Sequence, residues 1–417
     1  MVPILVSSTI VFIAVVLLFV FLILTAKERL LPQTDVALVI NGNKDNPVIV
    51  KPGGSLLTTL AAQNLFLASA CGGGGTCAMC KCQVFSGGGD VLPTETNHLN
   101  RRQVSEHQRL ACQVKVKENM EIRIPDEVFG VKKWDCTVVS NDNVSTYIKE
   151  FVVALPKDET LKFRSGDYIQ IDVPALSMDF SNDLYEIPDK FKDDYDKFKI
   201  WDLKATVEEP LFRAYSMANH PAEGNIIMLN IRLATPPFDR AKGAFQDVMP
   251  GLCSSYVFSR KPGDKVTISG PFGEFHIKEK LNREMVYIGG GAGMAPLRSH
   301  IFHLFHTLKT GRKVSYWYGA RSKREIFYEE DFRAIEREFP NFRFEIALSE
   351  PLPEDNWKGY IGFIHNVVQK NYLEQHADPD EIEYYLCGPP LMLSAVQNML
   401  DNLGVPSENV AFDDFGS

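Results

Sequence analysis

Four cysteines constrain this chain more than any other feature: Cys71, Cys77 and Cys80 lie close together, and Cys112 follows downstream. Five residues separate the first pair, two the second, and thirty-one lead to the last. Glycine fills most of the first gap, from Gly72 to Gly75. A [2Fe–2S] cluster takes four thiolates, and small residues between them let the backbone curl round it and aim N–H groups at its sulfurs. Plant-type spacing has four residues in the first gap, and the glycine run is what accommodates the fifth found here. Zinc-binding cysteines come as two short pairs divided by a spacer, a different arrangement from three and one. The pattern predicts a redox protein whose cluster sits on Cys71, Cys77, Cys80 and Cys112, with the nearby Cys82 not a ligand.

The remaining cysteines, Cys82, Cys136, Cys253 and Cys387, are scattered singly among 417 residues, too few for a disulfide scaffold. That usage fits a reducing compartment. A net charge of −9 argues against a nucleic-acid partner, which needs a basic face.

No charged side chain occurs from Met1 to Ala26, and the stretch is almost wholly apolar. A helix needs about 20 such residues to cross the hydrocarbon core. A cleaved signal peptide has a basic start and a shorter apolar core, whereas here Lys27 and Arg29 follow the run. The reading is a retained single-pass transmembrane anchor over residues 1–26. The positive-inside rule then puts the amino terminus outside and the catalytic remainder in the cytoplasm.

Beyond the anchor the chain is multidomain. Residues 33–126 read as a compact α+β domain: strands at Val36 to Ile40 and Val48 to Val50, and a helix capped by Ser55. The cysteine loop comes next, then strands near Cys82 to Phe85, Ala111 to Val114 and Glu121 to Ile124. Residues 130–280 carry short β-runs with turn signals, as in a small barrel. An insertion at 175–204 breaks the rhythm, with Phe180, Tyr185, Phe191, Tyr195, Phe198 and Trp201 among many aspartates and lysines. A stretch this long without clean period is either an elaboration packed on its own domain or a docking surface. Residues 281–417 alternate strand and helix, giving an open α/β nucleotide-binding domain with a mainly parallel sheet.

The glycine run Gly289 to Gly293 lies where a strand passes into a helix beginning near Ala295, the context of a pyrophosphate site. Cys387-Gly388-Pro389-Pro390 also ends an apolar strand, and both loops are expected to face one crevice. Upstream, Arg213 and Tyr215 alternate along a strand and share a face, suited to clamping a phosphate and stacking on a flat ring. Gly251 to Ser255 offers further N–H and hydroxyl donors. Arg321, Ser322, Lys323 and Arg324 follow the second strand of the nucleotide domain, where basic groups suit an NADP 2′-phosphate.

In this order, Arg213-Ala214-Tyr215-Ser216, Gly251 to Ser255, Gly270-Pro271-Phe272-Gly273, Gly289 to Pro296 and Cys387-Gly388-Pro389 resemble the ferredoxin–NADP reductase superfamily. With the cysteine domain, the apolar amino terminus and the ending Phe412-Asp413-Asp414-Phe415-Gly416, the chain resembles one family within it across essentially its whole length. These are the NADH-oxidising subunits of bacterial Na⁺-translocating NADH:quinone oxidoreductases.

The resemblance implies an inner-membrane enzyme that takes a hydride from NADH onto non-covalent FAD. Electrons then pass singly through the cluster to membrane subunits that reduce ubiquinone and export Na⁺. It implies Arg213, Tyr215, Ser216 and Ser254 as FAD-binding residues and Phe415 as an aromatic over the flavin. Gly290, Gly291, Gly293 and Pro296 would hold the NADH pyrophosphate, and Ser216 and Cys387 would flank the hydride path. On the nucleotide the resemblance says NADH against the basic cluster's lean to NADP. Two other readings share most modules: the reductase of a multicomponent oxygenase, and a membrane-tethered electron carrier that does not turn over nucleotide.

Overall fold

In the computed structural model, which describes residues 12–22, 34–239 and 241–415, the chain divides into two units, Met1–Gly130 and Val131–Ser417. Residues 12–22 are helical and their apolar side chains are exposed. No helix among the described residues is long and apolar enough to cross a membrane. The transmembrane helix expected over residues 1–26 is therefore not found there. The helical part described falls short of the ~20 residues a span requires, and the rest of that stretch, with Lys27 and Arg29, lies outside the described residues.

In the first unit, β1 (Val36–Ile40), β2 (Val48–Val50), β3 (Lys81–Ser86), β4 (Gln108–Leu110) and β5 (Met120–Arg123) form a mixed sheet of order β2–β1–β5–β3–β4. Strand β1 alternates because Val36, Leu38 and Ile40 point into the core, and it runs parallel to β5. The helix Leu56–Ala61 begins at Ser55, whose hydroxyl accepts the Thr58 N–H, and it buries Leu56, Leu57 and Leu60. A buried ion pair closes the far side. Arg109 donates to both oxygens of Glu95 and to the carbonyls of Gly88, Gly89 and Asp90.

The strand expected at Ala111 to Val114 is instead a turn, with the N–H groups of Gln113 and Val114 both donating to the Leu110 carbonyl. Its alternation reflects packing under the helix Leu56–Ala61, whose Leu56 and Leu57 N–H groups donate to the carbonyls of Val114 and Ala111.

The second unit begins with β6 (Lys132–Ser145), β7 (Ile148–Ala154), β8 (Tyr168–Val173), β9 (Leu176–Asp179), β10 (Lys204–Val207), β11 (Leu211–Ser216) and β12 (Ile226–Arg232). The short β13 (Phe238–Asp239) and β14 (Ala244–Phe245) form a separate pair, and β15 (Lys265–Phe272) completes the set. An antiparallel sheet of order β11–β8–β15–β6–β7–β12 closes on itself where Met217 bridges Leu229 and the Ala218 N–H reaches the Met228 carbonyl at 2.7 Å. That closure makes the barrel.

Within the insertion, β9 and β10 pair antiparallel and enclose the helices Phe180–Asp183 and Asp189–Lys197. Phe180, Phe191, Tyr195 and Ile200 are buried in the barrel's own core. Tyr195 stacks on Tyr147 with centroids 5.5 Å apart, and Trp201 packs at 5.1 Å. The aromatic spacing is that of an elaboration folded onto its domain.

The rest of the unit is a parallel sheet of β16 (Met285–Gly290), β17 (Val314–Ala320), β18 (Phe342–Leu348), β19 (Tyr360–Ile361), β20 (Glu383–Cys387) and β21 (Val410–Asp413). Its order is β19–β18–β17–β16–β20–β21. The chain leaves β16 toward β17 and returns on the other side at β20. The order reverses between them, and ligands in such sheets bind beyond the carboxyl ends of the strands at that point.

Candidate functional site

The cysteine loop gathers its sulfurs in two pairs. Cys71 Sγ lies 3.3 Å from Cys77 Sγ, and Cys80 and Cys112 are hydrogen-bonded to each other. Gly72, Gly73 and Gly75 all have positive φ, at 65°, 92° and 79°, which is how the five-residue gap closes tightly. Within each pair one thiol leans toward thiolate. The Cys77 thiol donates to Cys71, and N–H groups of Cys77, Thr76 and Gly73 add to it, holding Cys71 down to about 3. Cys80, Gln113 and the Gly75 N–H hold Cys112 down to about 7, against the effect of burial. Backbone donors thus point at the sulfurs as the glycine run predicts.

No group of three or more metal-ligating side chains suited to one ion occurs among the described residues. Two cysteine pairs fit two sulfide-bridged irons better than one tetrahedral zinc. Burial pushes Cys82 up to about 12, and it lies in the core without a hydrogen bond to either pair among the described residues.

Across the barrel, β11 holds Arg213 and Tyr215 at alternate positions on a half-buried strand paired with β8. Among the described residues the only side-chain hydrogen bond of Arg213 is to the Phe212 carbonyl at 2.8 Å, and no carboxylate pairs with it. A guanidinium left without a protein anion suits a phosphate. Tyr215 contacts Cys253, and burial raises its hydroxyl well above the usual value. Ser254 sits buried in the first turn of the helix Leu252–Phe258. Its Oγ donates to the Gly251 carbonyl at 2.9 Å and accepts the Ala234 N–H at 3.1 Å, so it ties that turn to the barrel.

The two loops of the parallel sheet lie against each other. Gly289 is the register partner of Cys387, and a Cβ on Gly388 would stand 3.0 Å from the Gly290 carbonyl. At Gly293 a side chain would collide with the Cys387 carbonyl, so the start of the helix Met294–Phe302 can come against β20 only with glycine there. Pro296 is buried in the first turn of that helix, where a missing N–H costs no hydrogen bond.

Sequence reasoning missed Asp413. Ser216 Oγ, at the end of β11, donates to Asp413 Oδ2 at 2.7 Å, and Asp413 lies beside Cys387 in the β20–β21 register. The sheet and the barrel therefore meet at Ser216, Asp413 and Cys387. Burial raises the Asp413 carboxyl to about 6, with the Ser216 bond opposing and Asp414 adding to the rise. Cys387 is fully buried, and burial together with Asp413 and Asp414 keeps it a thiol. Phe415 is 43 % exposed, so core packing is not its role. The one available signal for Asp413 was its place at the carboxyl end of a strand next to that of Cys387.

Of the basic cluster after β17, Arg321 pairs with Glu350 at 3.3 Å and Arg324 with Asp193 at 2.8 Å.

Comparison with known proteins identifies the domain types that carry the cysteine and glycine loops. Residues 40–117 match the 2Fe-2S iron-sulfur cluster binding domain, and residues 287–398 the oxidoreductase NAD-binding domain. The F subunit of the Na(+)-translocating NADH-quinone reductase of Mannheimia succiniciproducens is 52% identical over 405 residues, covering 97% of each chain. That of Actinobacillus pleuropneumoniae is 53% identical over 405 residues, again 97% of each. Among solved structures, the ferredoxin reductase in carbazole 1,9a-dioxygenase superposes with a TM-score of 0.59 at 24% identity, over 92% of this chain and 98% of that one. At that identity the likeness is one of fold.

Proposed function

The chain belongs to the family of F subunits of the Na(+)-translocating NADH-quinone reductase, and from that premise we propose how its residues divide the work. The protein is an NADH dehydrogenase subunit that feeds electrons from NADH toward quinone, with FAD and a [2Fe–2S] cluster as cofactors. When bound, FAD takes the two electrons of a hydride and the cluster accepts electrons one at a time.

In this reading residues 33–126 would carry the cluster, with Cys71, Cys77, Cys80 and Cys112 supplying its four thiolates. Residues 130–280 hold the flavin without a covalent bond. Arg213 presents its fork to the pyrophosphate, Tyr215 and Phe415 offer rings to the isoalloxazine, and Ser254 fixes the helix start beneath the phosphates. Residues 281–417 receive NADH. Gly290, Gly291 and Gly293 remove side chains from the crevice so that N–H groups reach the pyrophosphate, and Pro296 stiffens the first turn behind them. Ser216 and Cys387 flank the path of the hydride. Asp413 accepts from the Ser216 hydroxyl and so fixes its direction, while the buried Cys387 thiol excludes water from one side.

The convergence of Ser216, Asp413 and Cys387 at the reversal of strand order is the observation that supports this arrangement most. Export of Na⁺, a quinone as acceptor and further subunits as partners follow from the relatives' name; ubiquinone as that quinone and a membrane seat for those subunits belong to this proposal. Attachment to a bacterial inner membrane is part of the same proposal, and the apolar run in residues 1–26 supports it.

The test is a visible spectrum of the detergent-purified full chain before and after NADH. Flavin and cluster absorption should both bleach on addition. A flavin that NADH leaves oxidised would remove the dehydrogenase role.

A further inference from the structure

The helix Met294–Phe302 starts at the glycine loop and carries Arg298 and Ser299, both buried. Both side chains bond to the barrel. Arg298 Nη1 donates to the Ala218 carbonyl at 2.8 Å, and Ser299 Oγ to the Asn219 carbonyl at 2.8 Å. Ala218 and Asn219 follow closely on Ser216, in the segment that closes the barrel against β12. Arg298 also pairs bidentately with Glu223, Nη1 to Oε2 at 2.9 Å and Nη2 to Oε1 at 2.7 Å. Glu223 Oε2 accepts the His220 N–H at 2.7 Å as well, so one carboxylate fixes both the arginine and the turn that ends the segment.

The guanidinium lies over the rings of Phe302, at 3.9 Å, and Tyr328, at 5.1 Å. Tyr328 is itself tied to the barrel: its hydroxyl donates to Glu150 of β7 and accepts from Asn230 Nδ2 of β12 at 2.8 Å. Burying an ion pair adds little to stability, because stripping water from both charges offsets most of their attraction. What a planar fork on several fixed acceptors adds is geometry. A slide of the helix along its axis would break the bonds to Ala218, Asn219 and Glu223 together, so the helix has one register against the end of β11. Ser216 is held in turn by Asp413 at the end of β21.

We propose that Arg298 is a positioning residue for the reaction with NADH: through Ala218 and Glu223 it sets the distance between a nucleotide at the glycine loop and the flavin side of the barrel at Ser216. This rests on the reading of Gly289–Gly293 and Ser216 as the two sides of the hydride path. The hydride moves from NADH to flavin with its electron pair, and Arg298 neither gives nor takes a proton. Its effect falls on the rate with nucleotide bound, not on affinity. Reacting atoms must approach to about 3–3.5 Å, and a misplacement on the order of 1 Å slows reaction on the order of a hundred-fold.

The test is rapid-mixing reduction of the flavin in the full-length holoprotein, by NADH and by NADH deuterated at both C4 positions. ADP-ribose, which lacks the nicotinamide, is titrated beside it as a probe of the glycine loop. Arg298→Lys keeps the charge and loses the fork. Flavin reduction at saturating NADH should slow roughly ten- to hundred-fold, with flavin content and ADP-ribose affinity unchanged. The isotope effect should rise, because a longer transfer distance hinders deuterium more than hydrogen; a loss of stability alone would not move it. Glu223→Gln keeps an acceptor for Arg298 and for the His220 N–H, and should slow reduction by less. Combining the two should be no slower than Arg298→Lys alone, because the residues act as a pair. Wild-type flavin reduction in Arg298→Lys, or slowing matched by an equal loss of ADP-ribose affinity, overturns the inference. If Arg298→Lys does not retain flavin, Glu223→Gln decides by the same readouts. Gly291→Val tests the site beneath the inference: ADP-ribose affinity unchanged in that variant would overturn the nucleotide reading rather than the role of Arg298.

Discussion

Cys80 and Cys82 are two positions apart, and strand periodicity alone would put them on one face. What separates them is where the strand begins. Cys80 precedes β3 and its carbonyl accepts the Ala111 N–H, so its side chain turns to Cys112. Cys82 lies inside β3 opposite Arg109, in the core. Cys80→Ala should therefore abolish the reduced-state paramagnetic signal of the cluster while Cys82→Ala retains it; the reverse pattern would move the ligand set. The spacing made the four cysteines that gather in two pairs legible, but setting Cys82 apart from them needs the start of a strand, which periodicity does not fix. A second single-residue effect is electrostatic. His300 is fully buried, its Nε2 donates to the Phe275 carbonyl at 2.9 Å, and burial lowers its pKa to about 3. The unfolded chain takes up that proton below about pH 6.5 and the native one does not. Its stability contribution is thus complete above about pH 6.5 and is lost toward pH 3, at about 1.4 kcal/mol per pH unit. His300→Gln keeps an N–H donor and should flatten this acid slope in urea titrations between about pH 7 and pH 5. An unchanged slope would mean that His300 is not what titrates.

Among the elements, those whose own residues carry the pattern were legible: β1, β16, β17 and β20 each bury side chains in the rhythm their sequence shows. Two elements were not. Ala111 to Val114 alternates like a strand, but its backbone groups are taken by the helix above it rather than by a neighbour strand. The insertion lacks a period because its order comes from scattered aromatics meeting Tyr147 and the barrel core, a tertiary effect that no local window contains. Asp413 was hidden for the same reason, since its partner Ser216 lies 197 residues away in the chain. The Glu95–Arg109 clasp shows how one pair organises an element. Burial alone would raise the Glu95 carboxyl, and the Arg109 bonds with the Leu92 and Leu110 N–H groups more than reverse this. Arg109→Met leaves a buried carboxylate unpaired and unfastens the carbonyls of Gly88 to Asp90, at an expected cost of about 3–5 kcal/mol. Adding Glu95→Gln should recover part of that loss in chemical unfolding of the cluster-bearing unit. A single variant as stable as wild type would show that the pair is incidental.

For the whole molecule, the residues proposed for the chemistry with NADH belong to the second unit: Arg213, Ser216, Ser254, the Gly289–Gly293 loop, Cys387 and Asp413 all lie beyond Gly130. The apolar amino terminus supplies none of them. Its expected contribution is position, because a tether raises the effective concentration of the chain at a membrane acceptor without adding a contact to the reaction. Deleting residues 1–26 should then separate two activities that the intact chain performs together. NADH-dependent reduction of ferricyanide, a small soluble acceptor, should persist at the wild-type rate, whereas reduction of quinone in membranes holding the other subunits should fall sharply at stoichiometric protein. The shortfall should shrink as the truncated protein is raised in excess, since mass action replaces a lost tether but does not replace a lost electron path. Full quinone reduction by stoichiometric truncated protein would show that residues 1–26 do not tether the chain. Loss of ferricyanide reduction as well would show that they support the folded units, a role the contacts within those units give no reason to expect.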